Sequence, residues 1–167
     1  MAFKNRSSKV AKANVTARND AAAAHAAHEL TITRIFDAPR EVVFEMWTKP
    51  EHLRRWSCPH GFSITHAEGD LREGGRWRSC MRSPEGQDLW LGGEYRRIVP
   101  GELLTFTHAW EQQGTPGPAT LVSVRFEDAG DKTRMIFQQG LFASAADRDG
   151  HQGGWGECFE RLASLLG

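Results

Sequence analysis

Apolar and polar residues alternate with a period of two along most of the chain after residue 28. Leu30, Ile32 and Phe36 share one face of the first such segment, in which β-branched residues are frequent. Six further segments of this kind, separated by glycine, proline and aspartate, lie at residues 62–68, 76–82, 89–99, 104–110, 122–126 and 133–140. Seven strands joined by short turns predict an antiparallel meander.

Two short helices are predicted between the first and second strands. Pro39 and Pro50 each begin a run with apolar residues at helical spacing, and proline is favoured at the first position of a helix. The apolar positions are Val42, Val43, Met46 and Trp47 in the first run and Leu53 and Trp56 in the second.

The last segment of the chain changes to the period of a longer helix. One helix face collects its apolar residues, namely Trp155, Cys158, Phe159, Leu162, Leu165 and Leu166. Residues 144–147 resemble a capping box that opens this helix. Gly153 and Gly154 lie inside it and each cost about 1 kcal/mol relative to alanine. We therefore expect a close backbone approach or a bend over a cavity to compensate for them.

The element order predicts an α+β domain over residues 29–167. A seven-stranded sheet must cover an apolar face, and the final helix is the long amphipathic element available for this. A curved antiparallel sheet wrapped around the long C-terminal helix buries the apolar faces of both elements. We expect a pocket between the sheet and the helix.

Residues 1–28 differ in composition from the rest of the chain. They carry five Lys/Arg and one acidic residue, and they show no strand alternation. We expect a disordered or loosely helical basic tail. The remaining residues carry more acidic than basic groups, which argues against nucleic acid as a partner.

The cysteine content and the hydropathy of the chain indicate its cellular compartment and whether it spans a membrane. The three cysteines, Cys58, Cys80 and Cys158, are odd in number and far apart in sequence, as expected in a reducing cytoplasm. No run of 18 apolar residues is present, so no membrane span is predicted. The sequence leaves open whether the chain forms a homodimer.

Six residues are predicted to line the pocket on the basis of their strand or helix face: Trp77, Met81, Phe106, His108, Gln139 and Trp155. Tryptophan suits pocket walls as well as cores. A histidine on an apolar strand face is either a satisfied core residue or a hydrogen-bonding contact for a ligand.

No catalytic triad, phosphate-binding glycine loop or paired carboxylates can be recognised, and we predict no cofactor. The spacing of Cys58 and His60 is too tight for an ordinary zinc pair, so we predict no metal site.

Several local motifs occur in one characteristic order. They are Arg34-Ile35-Phe36-Asp37-Ala38-Pro39, Trp47-Thr48-Lys49-Pro50-Glu51-His52-Leu53, Gly74-Gly75-Arg76-Trp77, Gly93-Glu94-Tyr95-Arg96 and Gly154-Trp155. This order resembles the START-like helix-grip superfamily (SRPBCC), and within it the bacterial branch similar to the C-terminal domain of the activator of heat-shock protein 90 ATPase. The resemblance covers about residues 29–166 and implies the helix-grip fold. Ser57, His108 and Gln139 depart from the residues common in this branch, so a relative's ligand cannot be transferred.

Three functional hypotheses follow. The first is a module that binds a small apolar or aromatic molecule in the pocket. The second, implied by the resemblance, is a protein-interaction domain like the chaperone-ATPase activator. The third is a cyclase-like or hydrolase-like enzyme with His108 as its acid–base residue. A deep pocket with a polar group favours the first or third, whereas a filled core with an exposed apolar patch favours the second.

Deleting residues 1–28 tests the predicted domain boundary. We expect the melting temperature to stay within a few degrees, because the segment offers little apolar surface to a core. A loss equivalent to more than ~2 kcal/mol, measured by thermal unfolding of the truncated and full chains, would instead show that the segment packs as part of the domain.

Overall fold

The computed structural model describes residues 28–167, so the predicted N-terminal tail lies outside the described residues. The strands are β1 (Leu30–Phe36), β2 (Ser63–Gly69), β3 (Arg76–Arg82), β4 (Asp88–Val99), β5 (Leu103–Gln112), β6 (Thr115–Pro116), β7 (Thr120–Ala129) and β8 (Lys132–Gly140). The helices are α1 (Arg40–Thr48), α2 (Pro50–Trp56) and α3 (Ala145–Leu166). This is the α+β, helix-grip architecture predicted from the sequence.

All the described strands belong to one antiparallel sheet. Its order is β1-β8-β7-β5-β4-β3-β2, with β6 paired to β5. The first strand closes one edge against the last one, with Leu30 opposite Gln139. Seven strands were predicted and are confirmed. The eighth, β6, is a correction, because the predicted loop over residues 114–118 forms a two-residue pairing in which Pro116 lies opposite Glu111.

The two short helices are anchored to the sheet by buried polar contacts. Thr133 of β8 is fully buried and its hydroxyl donates to the Ala38 carbonyl at 2.7 Å, just before α1. The indole N–H of Trp56 in α2 donates to the Met46 carbonyl in α1 at 2.9 Å. These bonds satisfy groups that burial would otherwise leave unpaired. The first joins β8 to the residues before α1, and the second joins α2 to α1.

Helix α3 covers the concave face of the sheet. Ser144 caps it, since its hydroxyl oxygen accepts from the Asp147 backbone N–H at 3.1 Å, as the capping motif predicts. Cys158, Phe159 and Leu162 in its C-terminal half are buried, whereas Trp155 is half-buried. The expected close backbone approach is absent, because a Cβ on Gly153 would contact no described atom within 4 Å.

We expect Leu162→Ala to lower the free energy of unfolding by about 2–5 kcal/mol, because the truncated side chain leaves a cavity in a fully closed part of the core. Urea unfolding measures the change. Leu165→Ala is the matched control: Leu165 is only half-buried in the same helix, so its truncation should cost clearly less. Equal midpoint shifts for the two variants would contradict the central position of Leu162.

Candidate functional site in the cavity between sheet and helix

A cavity of about 360 Å³ separates the N-terminal half of α3 from strands β3–β5. Its sheet wall includes Met81, Leu91, His108 and Trp110, and the loop after α2 closes one side with Pro59 and Phe62. The helix wall consists of Ala146, Asp147, Gly150, His151, Gly154, Trp155 and Cys158. Mostly apolar walls with a few polar groups are typical of sites for small organic molecules.

His108 is the deeply buried polar residue of the sheet wall. Only 4% of its surface is exposed, and its ring contacts the rings of Trp110, His151 and Trp155 at centroid distances of 5.7, 5.8 and 6.1 Å. Within residues 28–167 the His108 ring makes no hydrogen bond to another side chain, although a hydrogen bond to its own backbone acts on it. Burial, together with the neighbouring His151, lowers the pKa of His108 from 6.5 to about 3. At neutral pH the ring is therefore uncharged and keeps hydrogen-bonding capacity toward the cavity.

His151 joins the helix wall to the sheet wall. Trp110 Nε1 donates to His151 Nε2 at 3.0 Å. The Nδ1 atom of His151 is 2.7 Å from the Asp147 carbonyl oxygen, one turn earlier in α3. An indole N–H can only donate, so Nε2 is the acceptor and Nδ1 carries the proton of a neutral ring. This pair closes the cavity between β5 and α3.

Gln139 holds Trp155 in place from behind the cavity. Its side-chain oxygen accepts from Trp155 Nε1 at 2.8 Å, and its amide nitrogen donates to Thr120 Oγ1 at 2.9 Å. The Thr120 hydroxyl donates in turn to the His108 carbonyl at 2.9 Å. Because Gln139 is fully buried and both ends of its amide are bonded, it sets the position of the Trp155 ring.

A smaller space of about 70 Å³ adjoins the cavity on the side of α1 and α2. The two spaces share Ser57, Leu91, His108 and Trp155. Tyr95 and Trp47 also line the smaller space, and the buried indole N–H of Trp47 has no hydrogen-bond partner among residues 28–167. Burial raises the pKa of the Tyr95 hydroxyl to about 12, so that group remains protonated.

Arg161 fastens the loop after α2 to α3. Its Nη1 donates to the carbonyls of Cys58, Pro59 and Phe62 at 3.1, 3.2 and 3.3 Å, and it lies 3.0 Å from Cys58 Sγ. Burial raises the pKa of the Cys58 thiol although Arg161 opposes the shift. The contacts fix the loop that closes one side of the cavity.

The six residues predicted from the sequence are distributed over both spaces. Met81, His108 and Trp155 line the larger cavity, whereas Trp77 and Phe106 line the smaller space together with His108 and Trp155. Gln139 lines neither space and acts through Trp155. Gln139 is linked to the His108 backbone carbonyl through the Thr120 hydroxyl.

Sequence reasoning did not select Trp110, His151 or Gly150 as cavity residues, whereas Gly154 was expected at a close backbone approach or a bend over a cavity. The strand alternation already placed Trp110 on the face of His108. A four-residue spacing connects Ala146, Gly150, Gly154 and Cys158, and this repeat could have indicated a helix face without bulky side chains.

Comparison with known proteins identifies the family of this chain. The model of the family described as Activator of Hsp90 ATPase homolog 1-like protein matches residues 37–167. The chain belongs to this family. No curated protein sequence is a significant match.

Crystal structures of bacterial proteins share the fold. Protein CV1439 from Chromobacterium violaceum is 26% identical, with a TM-score of 0.75 over 83% of this chain and 96% of that chain. Protein NE0264 from Nitrosomonas europaea is 26% identical, with a TM-score of 0.73 over 84% and 95%. The AHSA1 protein from Silicibacter pomeroyi is 25% identical, with a TM-score of 0.75 over 83% and 96%.

The described residues offer no metal site and no membrane-spanning helix. Within residues 28–167 no three His, Cys, Asp or Glu side chains are grouped so that they could hold a metal ion. His60 instead contacts Glu160, with 2.9 Å between Nε2 and Oε2. None of the described helices is both long and apolar enough to cross a membrane.

The pKa of His108 predicts acid sensitivity. Between pH 6.5 and about 3 the unfolded chain binds a proton at this residue that the folded chain does not bind. The contribution of His108 to stability is therefore retained above pH 6.5 and is lost as the pH drops through this window, by roughly 2–3 kcal/mol between pH 6.5 and 4.5.

Urea unfolding at a series of pH values measures this slope. His108→Gln should flatten it, because glutamine does not titrate. His52→Gln is the control, since His52 lies in α2 away from the cavity, and this variant should keep the slope of the wild type. Identical slopes in the wild type and His108→Gln would show that His108 does not cause the acid sensitivity.

Proposed function

We propose that the protein binds a small apolar or aromatic molecule in the cavity between the sheet and α3. The observation that carries the proposal is an apolar cavity of about 360 Å³ into which a buried, uncharged His108 faces without a hydrogen bond to another described side chain. A neutral imidazole carries one donor and one acceptor nitrogen. A ligand with a polar group would bond to the ring while its apolar part covers the walls.

Membership in the family agrees with the fold that contains this cavity. The description of the family names no ligand. The protein-interaction hypothesis lacks a supporting observation of equal weight. Five large apolar residues are exposed on the described surface: Ile35, Val42, Leu71, Leu121 and Leu141. Leu121 lies opposite Gly140, the residue before Leu141, whereas Ile35, Val42 and Leu71 lie on β1, on α1 and in the loop after β2. A few exposed apolar residues are ordinary on protein surfaces and do not by themselves mark a docking site.

The enzyme hypothesis assigns acid–base catalysis to His108. General acids and bases work best with a pKa near the operating pH. The pKa of His108 is about 3, which suits a neutral hydrogen-bonding group better than a proton acceptor at pH 7. The charged residue of the cavity lining, Asp147, is exposed at its rim. These features favour binding over catalysis.

Binding of the uncharged dye N-phenyl-1-naphthylamine tests the proposal. We expect saturable binding by equilibrium dialysis, and His108→Ala should weaken it by up to about tenfold through loss of one hydrogen bond. His52→Ala should bind like the wild type. Native mass spectrometry of protein purified without detergent provides a second test, because a copurified molecule would add its mass to that of the chain.

Absence of any saturable binding, with no added mass, would contradict the proposal. The catalytic alternative has a different signature. Chemical conversion of a bound compound by the wild type, abolished in His108→Ala without weaker binding, would show that the site performs chemistry. Loss of a general acid or base typically lowers turnover by a factor of about 100 to 10,000.

A further inference from the structure

The loop after α2 packs against one face of α3, and each side of this contact contributes a cysteine. Cys58 is the second residue after α2 and is fully buried. Cys158 lies in the C-terminal half of α3 and is 4% exposed. Both thiols are free. The two residues are far apart in sequence, and the fold brings them to one interface.

Contacts on either side of Cys158 show that its side chain faces this loop. One turn earlier in α3, a Cβ on Gly154 would lie 3.8 Å from Pro59 Cγ. One turn later, Arg161 Nη1 donates to the Pro59 carbonyl at 3.2 Å. Residues three and four positions apart share one face of a helix. Cys158 therefore lies on the loop-facing side of α3, between these two contacts.

Arg161 fixes the position of the Cys58 thiol along α3. Long side chains on a helix lean toward its N-terminus, so the guanidinium lies beside the preceding turn, which carries Cys158. The guanidinium nitrogen Nη1 is 3.0 Å from Cys58 Sγ. Burial and, to a smaller extent, the Cys58 thiol raise the pKa of Cys158, whereas Arg161 lowers it. Because charge interactions weaken with distance, this coupling agrees with the two sulfurs being neighbours.

The third cysteine, Cys80, is also buried but lies on the other side of the sheet. Its neighbour in β3, Met81, lines the cavity, and successive side chains of a strand point to opposite faces. The residues opposite Cys80 on the adjacent strands are His66 and Trp90. The sheet therefore separates Cys80 from α3, which makes it a reference thiol within the same chain.

The cavity gives a small oxidant access to one member of the pair. Cys158 lines the cavity, and Asp147 and Gly150 at its rim are exposed to solvent. Cys58 does not line the cavity and has no exposed surface. Hydrogen peroxide is close to water in size, so it can reach Cys158 through the cavity, whereas Cys58 is shielded behind it.

We propose that Cys58 and Cys158 form an oxidisable pair, which hydrogen peroxide converts into a disulfide that ties the loop after α2 to α3. The Cys158 sulfur attacks one peroxide oxygen, the O–O bond breaks, and a sulfenic acid and one water are formed. The Cys58 sulfur then attacks the Cys158 sulfur and the S–O bond breaks. The hydroxide leaves with the Cys58 thiol proton as a second water.

The electrons balance, because the two thiols together lose two electrons and the peroxide gains them. The Arg161 guanidinium stabilises the thiolate that develops on Cys58 in the second step. The first step is slow at neutral pH, since burial disfavours the Cys158 thiolate that attacks the peroxide. This inference does not depend on a ligand in the cavity, so it stands apart from the proposed function.

Peptide mapping of peroxide-treated protein tests the pair. Trypsin places Cys58 and Cys158 on separate peptides, residues 56–72 and 149–161. After treatment at mildly alkaline pH we expect these two peptides to be linked, two of the three free thiols to be lost, and the monomeric chain to be lighter by two hydrogen atoms. The thermal midpoint should rise by several degrees relative to the reduced protein, because the disulfide closes a long loop of the chain.

Cys80→Ala is the matched control, since it removes a buried thiol on the other side of the sheet and should leave the linked peptides unchanged. Cys58→Ala and Cys158→Ala should abolish both the link and the rise in thermal midpoint. Three free thiols in the wild type after a peroxide treatment that fully oxidises glutathione would overturn the inference. A link that includes Cys80, or oxidation of Cys158 to a sulfinic acid without the linked peptides, would overturn it as well. These outcomes are measured on the wild type, so they do not require the alanine variants to fold, and each leaves the proposed function in place.

Discussion

The concave face of the sheet must be covered, and helix α3 covers it in two different ways. Its C-terminal half buries Phe159 and Leu162 completely or nearly so and closes the core. Its N-terminal half presents glycines, an alanine and a histidine, and leaves about 360 Å³ between helix and sheet. Because one continuous helix carries both halves, the packed C-terminal half fixes the position of the N-terminal half that lines the cavity. The cavity can therefore persist without collapse of the sheet onto the helix.

The polar groups around the cavity form a connected set that does not include a buried charge. The bond from Trp110 to His151 ties β5 to α3, and Gln139 orients Trp155 from behind. His108 lies between these groups and is uncharged because burial disfavours its protonated form. The same burial that keeps His108 neutral at pH 7 is the reason for the predicted acid sensitivity of the fold.

The order and type of the elements were predictable because their signals are local. Alternation with a period of two placed seven strands, and prolines at residues 39 and 50 marked the two short helices. The capping residue Ser144 and the apolar face around Leu162 defined α3. Strand β6 was missed because a Gly/Pro-rich segment predicts a loop, whereas its short pairing depends on the neighbouring strand β5.

The sequence by itself determined which side of β5 carries His108, since alternation places it with Leu104 and Phe106. Only the tertiary structure decided its chemistry, because its low pKa arises from burial and from His151, a residue on α3. It also decided that Gln139 supports Trp155 instead of lining the cavity. Strand periodicity is a property of neighbouring residues, whereas desolvation and hydrogen bonding depend on elements that meet only after the chain has folded.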